Sequence, residues 1–358
     1  MVQDKKIILF LEDSSKSFFG GGQAVSLQVI EALSETFSVQ LFDCNGSSEF
    51  VKLAKPHING FYQLISLKGL FEVVLLPVFL WINFFRLSKF IKKSGLKKEI
   101  IFLYAATRKV LILVWLIHKM FGLGFIYHAH RIENKKSFLE QITFFTMKSA
   151  KKIICVSNAV RESIALPQCE VLYNSIEVSY AKPKVLQAKV NVAVFSSLFP
   201  LKGIQYFVQS FSFLKNAERV HYFIYGEGPL RNKFKPDKTL PIHWMGFSHC
   251  VNELLKTKID LVVIPSVHAE SFSMILLEAL SQGVPVIATH LGGPKELIEH
   301  QKVGVLIEPK SPQKIAERID YFIDHPDIYA EFSKNALAFS KQFDVNQYRK
   351  KILALLDL

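Results

Sequence analysis

Hydrophobic residues fall in short, nearly unbroken runs, separated by longer segments whose apolar positions recur at helical spacing. In the first half the runs are IILFLE from residue 7, VQLFD from 39, IIFLYA from 100, FIYHA from 125 and IICVS from 153. In the second half they are NVAVFSS from 191, VHYFIYG from 220, IHWMG from 242, LVVIPS from 261, PVIAT from 285 and GVLIE from 304. Short runs rich in β-branched residues read as strands buried on both faces, and such strands alternating with helices form parallel sheets covered on both sides. The polar, proline-bearing stretch SYAKPKVLQAKV at 179–190 breaks the alternation and reads as a linker. The expected organisation is α/β, with two doubly wound domains at 1–180 and 184–343. A terminal amphipathic helix within 344–358, carrying NQYRKKILALL, is expected to pack back on the first domain. Doubly wound sheets bind ligands at the carboxyl ends of their strands, so the chemistry belongs in the loops that follow them.

Length fits this division, since 358 residues exceed one ordinary core. Half the residues are hydrophobic and 21% are charged, a balance that supports two folded cores. The run Ile7–Leu11 is too short for a signal peptide and is followed by acidic residues, so it reads as a first strand. The four cysteines, at 44, 155, 169 and 250, form no CxxC pair; reduced thiols, a cytoplasmic location and no metal site are expected. The longest apolar stretches, at 73–82 and 110–117, fall short of a bilayer span.

Charge is placed unevenly. Of a net charge of +13, residues 51–152 supply the whole excess, with 18 lysines and arginines against 4 acidic residues. There, LPVFLWINFFRLSKFIKKSGLKK at 76–98 passes from an apolar segment into Arg86, Lys89, Lys92, Lys93, Lys97 and Lys98. Such a segment suits an anionic membrane surface, and it is equally compatible with a solvated lysine face. A basic patch also fits nucleic acid, but no nucleic-acid-binding module is visible and no such partner is expected.

Four loops in the second half carry candidate chemistry. HAESFSMILLEALSQG at 268–283 places Glu270 after a strand and Glu278 about two turns into a helix with Ser271 as its expected N-cap. The amides of Phe272, Ser273 and Met274 then form a helix N-terminus suited to a phosphate. Glu-x7-Glu alone is equally at home on a solvated surface. The loop SSLFPLKG at 196–203 offers Lys202, YGEGPLR offers Gly226 and Gly228, and THLGGPKELI offers Gly292 and Gly293, where backbone can approach a ligand closely. In the first half, Gly20, Gly21 and Gly22 precede a helix, and HAH at 128–130 puts His128 and His130 on one face of a strand.

In order and spacing, VFSSLFPLKGIQYFVQSF, YGEGPLR, WMGF, PSVHAESFSMILLEALSQGVPVIATHLGGPKELI and GVLIEP resemble the retaining glycosyltransferases of family 4. GGGQAVSLQVIEAL, YHAHR, VSNAVRE and LYNSIE extend the resemblance more loosely into the first half. The resemblance implies a GT-B fold, two Rossmann-like domains facing a central cleft, with the acceptor on the first and a nucleotide sugar on the second. It implies that Glu270 lies near the donor sugar hydroxyls and that Glu278 accepts from the ribose. Lys202 and the backbone of Ser271, Phe272, Ser273 and Met274 would hold the diphosphate. Ser197, Gly226, Gly228 and Phe247 would complete the nucleotide site, Gly21 and Gly22 would approach an anion, and His130 would contact the donor sugar.

The chain departs from the family pattern where many members read Gly-Arg-Leu, since it reads Ser196-Ser197-Leu198. The missing cation leaves three readings: Lys202 with helix-terminal amides suffices, Arg231 or Lys295 reaches in, or catalysis is weakened. No DxD motif occurs, and the resemblance implies a metal-independent reaction with no cofactor besides the nucleotide-sugar co-substrate, a UDP-sugar favoured over GDP-mannose. No protein nucleophile is evident, which suggests a front-side displacement. With a basic first domain, the expected acceptor is a lipid-linked saccharide in lipopolysaccharide, capsule or exopolysaccharide assembly, and the expected place is the inner face of the cell membrane. The rival readings are a catalytically weakened GT-B sugar-binding protein and a basic nucleic-acid-binding protein.

Overall fold

The computed structural model describes residues 6–13, 21–65, 76–93, 100–134, 137–178, 181–231, 233 and 240–356, leaving aside the side chains of 76, 93, 100 and 101. Gly20, Lys97, Lys98 and the Lys93 side chain therefore lie outside the described residues. The chain divides into two compact units, Met1–Tyr173 with Asn346–Leu358, and Asn174–Val345.

The first unit is built on seven parallel strands: β1 (Ile7–Leu11), β2 (Ser38–Asp43), β3 (Gly60–Gln63), β4 (Ile100–Ala105), β5 (Phe125–Ala129), β6 (Lys152–Cys155) and β7 (Cys169–Val171). They lie in the order β3-β2-β1-β4-β5-β6-β7, so the winding reverses between β1 and β4. Every residue of β1 and of β5 is buried, as their unbroken apolar runs require. The helices are α1 (Gly21–Ser34), α2 (Glu49–Ala54), α3 (Leu76–Lys93), α4 (Arg108–Phe121), α5 (Phe138–Met147) and α6 (Asn158–Ile164). Local chemistry sets their ends. Ser137 and Glu140 form a reciprocal capping box at the start of α5, and Gly122 closes α4 in the left-handed conformation, φ 70°.

Strands β3 and β7 escape the sequence reading, and both are sheet edges. An edge strand needs little burial. GFYQ is half-buried to exposed and CEV is half-buried throughout, so neither shows an apolar run.

The second unit has six parallel strands: β8 (Val190–Phe195), β9 (Val220–Tyr225), β10 (Ile242–Gly246), β11 (Leu261–Ile264), β12 (Val286–Thr289) and β13 (Gly304–Ile307). Their order, β10-β9-β8-β11-β12-β13, reverses between β8 and β11. Helices α7 (Ile204–Ser210), α8 (Val251–Thr257), α9 (Met274–Ser281), α10 (Gly292–Ile298), α11 (Pro312–Asp324) and α12 (Pro326–Ser340) accompany them. The core on one face joins Val192, Val194, Tyr222, Ile224 and Val263 to Phe207 of α7 and Ile315, Ile319 and Phe322 of α11.

The division between the units falls ahead of the expected linker. Ile176 exchanges backbone hydrogen bonds with Phe343 and Val345 at 2.9 and 3.1 Å, which ties the segment after Tyr173 to the second unit. The last helix, α13 (Val345–Leu355), continues into the first unit, where Arg349 pairs with Glu31 at 2.8 Å and Lys152 donates to the Leu355 carbonyl.

Candidate functional site

Each unit gathers polar side chains at the carboxyl ends of its strands, beside the reversal of strand order. In the second unit that position is occupied by Lys202, from the loop after β8, and Glu270, from the loop after β11. The Lys202 ammonium lies 2.6 Å from Glu270 Oε1, and only 9% of the Glu270 side chain is exposed. Ser266 also donates to Glu270 Oε1, and the Thr289 hydroxyl donates to the Ser266 carbonyl at 2.8 Å. The Gly293 amide donates to the Glu270 carbonyl at 2.8 Å, so both ends of this glutamate are held.

The helix that follows starts later than its sequence suggests. Ser273, not Ser271, is the N-cap of α9, and its side chain makes no capping hydrogen bond. Donors at a helix start without a side-chain acceptor are suited to an anion. Ser271, Phe272 and Ser273 thus precede the helix and Met274 opens it. Glu278 lies about one turn inside rather than two, half-buried among Leu276, Leu277 and Leu280. Burial pushes its carboxyl up to about 7, and no side-chain partner offsets this among the described residues.

The glycines of this site make close contacts within the protein. A β-carbon at Gly226 would stand 1.8 Å from the Ser196 carbonyl oxygen, and one at Gly228 would stand 2.7 Å from that of Leu198. Gly292, φ 61°, is pressed against the Glu270 backbone, 2.2 Å from a β-carbon to the carbonyl oxygen. These positions let the loops after β8, β9, β11 and β12 pack on one another. Their closeness is spent on the protein's own backbone.

Ser197 and Phe247 are exposed. The two cations that could stand in for the missing arginine each have a carboxylate neighbour one turn away or less on the surface. Arg231 pairs with Glu227, and Lys295 lies 4.0 Å from Glu299.

In the first unit a cavity of about 440 Å³ is lined by Glu12 and Asp13 after β1, Gly21 and Gly22 opening α1, Thr107 and Arg108 after β4, and Tyr127, His128 and His130 on and after β5. Gly22 faces open space, with nothing within 4 Å of where a β-carbon would stand. The His128 and His130 rings lie 4.1 Å apart, and Tyr104 Oη is 2.8 Å from His128 Nδ1. Nε2 of both histidines is buried without a hydrogen-bond partner among the described residues. Burial holds His130 down to about 4 and His128 below the usual range, the latter aided by its neighbour, so both rings are neutral at pH 7.

Sequence reading misses Glu12, whose carboxyl is pushed up to about 8, chiefly by burial. Ser26 donates to it at 2.6 Å. The available signal is an acidic residue directly after a fully buried strand. The cavity's cations are largely compensated: Lys109 lies 3.1 Å from Asp13, and Arg108 lies 3.4 and 3.5 Å from Glu133 and Glu140.

The basic segment maps to α3. Val78, Trp81 and Phe85 are 51%, 64% and 52% exposed, and their spacing places them on one side of the helix. Lys89 and Lys92 continue that side, and with Phe85 and Ser88 they line a hollow of about 370 Å³. Arg86 turns to the Gln63 carbonyl at 3.3 Å. No helix among the described residues is long and apolar enough to cross a membrane.

Known proteins resemble this chain in sequence and in fold. Residues 180–339 match the family model of glycosyl transferases group 1. An uncharacterized glycosyltransferase of Methanocaldococcus jannaschii is 28% identical over 156 residues, 38% of this chain and 40% of that protein. The N-acetyl-alpha-D-glucosaminyl L-malate synthase of Bacillus anthracis is 27% identical over 185 residues, 47% of each. This chain spans from 11% to 57% of the length of these curated relatives. Anabaena HepE in complex with UDP superposes with a TM-score of 0.80, covering 98% of this chain and 99% of that one at 20% identity. The lipopolysaccharide outer core galactosyltransferase WaaB in its apo form gives 0.78, covering 98% and 99% at 17% identity. At those identities the structural likeness establishes the fold. The chain thus has the GT-B fold, and its segment 180–339 is similar to the group 1 glycosyltransferases.

Proposed function

We propose that the protein is a retaining, metal-independent glycosyltransferase of family 4 that moves a sugar from a nucleoside diphosphate sugar, a UDP-sugar first among them, to a lipid-linked saccharide. The observation that carries this reading is the Lys202–Glu270 pair at the strand-order reversal of the second unit, just ahead of α9, whose N-cap side chain makes no capping bond. A cation and helix-start amides oppose the charge that grows on a departing diphosphate, and a carboxylate beside them accepts from sugar hydroxyls. In the reaction the bond from the anomeric carbon to the diphosphate breaks while the acceptor oxygen bonds on the same face. The acceptor proton passes to the departing phosphate oxygen. Gly21, Gly22 and His130 serve the first unit's cavity, where a neutral imidazole is suited to hydroxyl groups.

Ser197 gives the weakened-enzyme reading its support, because no charge stands at that position. One experiment separates the two. Nucleotide release from UDP-, GDP- and ADP-sugars, together with thermal shifts by the same compounds, should show turnover abolished by Glu270→Ala. Binding without any release would instead identify a sugar-binding protein.

Glu278 provides a test by pH. Its raised carboxyl means that between the ordinary 4.5 and about 7 the folded protein keeps a proton that the unfolded chain has lost. Stability therefore falls as pH rises through that window, and the whole penalty is present above about 7. Glu278→Gln should melt higher than the parent at pH 8 and equal it near pH 4.5. A ribose hydroxyl donating to Glu278 favours the ionised form, so nucleotide affinity should rise with pH up to about 7 in the parent and lose that slope in the variant.

The acceptor's lipid link and a place on the inner face of the membrane, in lipopolysaccharide, capsule or exopolysaccharide assembly, are supported by α3. Val78, Trp81 and Phe85 would enter the interface while Lys89 and Lys92 face lipid phosphates, each charge contributing about 1 kcal/mol. Flotation with vesicles containing anionic lipid should drop several-fold for Lys89→Glu/Lys92→Glu and for Trp81→Ala. Equal flotation with neutral vesicles would remove the electrostatic part of the reading.

A further inference from the structure

Glu270 Oε1 is shared by two donors, the Lys202 ammonium and the Ser266 hydroxyl. From this sharing we infer that Ser266 is a positioning residue, one that keeps the Glu270 carboxylate in place when Lys202 leaves it. The proposed function gives Lys202 to the donor diphosphate, and the present inference rests on that reading for its kinetic consequence. An ammonium drawn to a phosphate loosens its hold on Glu270. A carboxylate buried to this degree would then be left without a donor on Oε1, which is costly, and it would turn toward water.

Ser266 is built to prevent this. It is 3% exposed, two residues past the end of β11, and its backbone is anchored by the hydroxyl of Thr289, itself 3% exposed at the end of β12. Neither residue gains or loses charge, so their hold is unaffected by an arriving anion. The Gly293 amide fixes the Glu270 backbone from a third element. With Oε1 tied to Ser266, the second carboxylate oxygen keeps a constant direction for a substrate hydroxyl. Lys202 is then free to move without disturbing it.

Crystal structures of two variants test the geometry without any turnover. In Lys202→Met, Glu270 should keep its side-chain rotamer, held by Ser266; in Lys202→Met/Ser266→Ala it should leave that rotamer. Departure in the single variant, or retention in the double one, overturns the inference. Titration of Ser266→Ala with UDP and with UDP-glucose gives an independent measure. UDP affinity should stay within about twofold, while the extra affinity brought by the glucose and the kcat should each fall about tenfold, the scale expected when a contact is displaced by under an ångström. Equal losses for UDP and UDP-glucose would show a merely structural serine. If neither compound binds the parent protein, the proposed donor is wrong, and the crystallographic comparison still decides the role of Ser266.

Discussion

A Lys202→Ala variant is expected to lose about 10²–10³-fold in kcat, or roughly 3–4 kcal/mol of transition-state stabilisation, with little change in melting temperature. The size follows from how few charges this protein brings to the leaving group. Ser197 stands where the family resemblance implies an arginine, Arg231 is paired with Glu227, and Lys295 lies 4.0 Å from Glu299. On the proposed function the ammonium of Lys202 carries most of that task, assisted by the amides at the start of α9. Lys202→Arg should recover only part of the loss, because a planar fork replaces a compact ammonium that already fits between Glu270 and its surroundings. Steady-state release of nucleotide from the donor identified by the thermal shifts is the measurement. A fall smaller than about fivefold would mean that another cation neutralises the diphosphate.

The second large effect is on the scaffold of the site. Gly292→Ala should destabilise the second unit by roughly 2–5 kcal/mol, combining a left-handed backbone with a clash that no rotamer relieves. The β-carbon would meet the Glu270 carbonyl oxygen at 2.2 Å and the Glu270 nitrogen at 2.8 Å, so the contact is backbone on backbone. A lower melting temperature, by on the order of 10 °C, should accompany loss of turnover as Glu270 is pushed aside. Gly22→Ala provides the opposite case. Nothing lies within 4 Å of its β-carbon, and alanine is the better helix former by about 1 kcal/mol, so folding should be unharmed. Any loss of function in Gly22→Ala then reports ligand approach to the start of α1. A Gly292→Ala variant that melts with the parent would show that the loops after β11 and β12 yield easily.

Much of the architecture is legible because parallel sheets leave a strong record. A strand covered on both faces has to be apolar at successive positions, as β1, β5, β11 and β12 are. Edge strands such as β3 and β7 carry no such demand and leave no record. Lys202, Glu270 and Glu278 are singled out in the sequence through the family resemblance, whereas Ser266 is not. A serine after a strand is common, and only the fold reveals that its hydroxyl meets the carboxylate four residues on. Residue preference favours Ser271 as the N-cap, yet the helix begins after Ser273 because cap preference alone cannot distinguish nearby serines. His128 is visible only as a companion of His130; its contact with Tyr104 depends on the neighbouring strand β4.

By itself the sequence determined two doubly wound α/β halves, the loops that carry chemistry and the family resemblance of the second half, since periodicity and motif spacing are local properties of the chain. The tertiary structure decided which partners those residues meet. It joined Lys202 and Ser266 to one oxygen of Glu270, paired Arg231 with Glu227, and pressed the glycines of the second unit against neighbouring loops. The reason is physical: hydrogen bonds, burial and steric closeness act between residues far apart in the chain, and their outcome depends on distances that no linear spacing encodes.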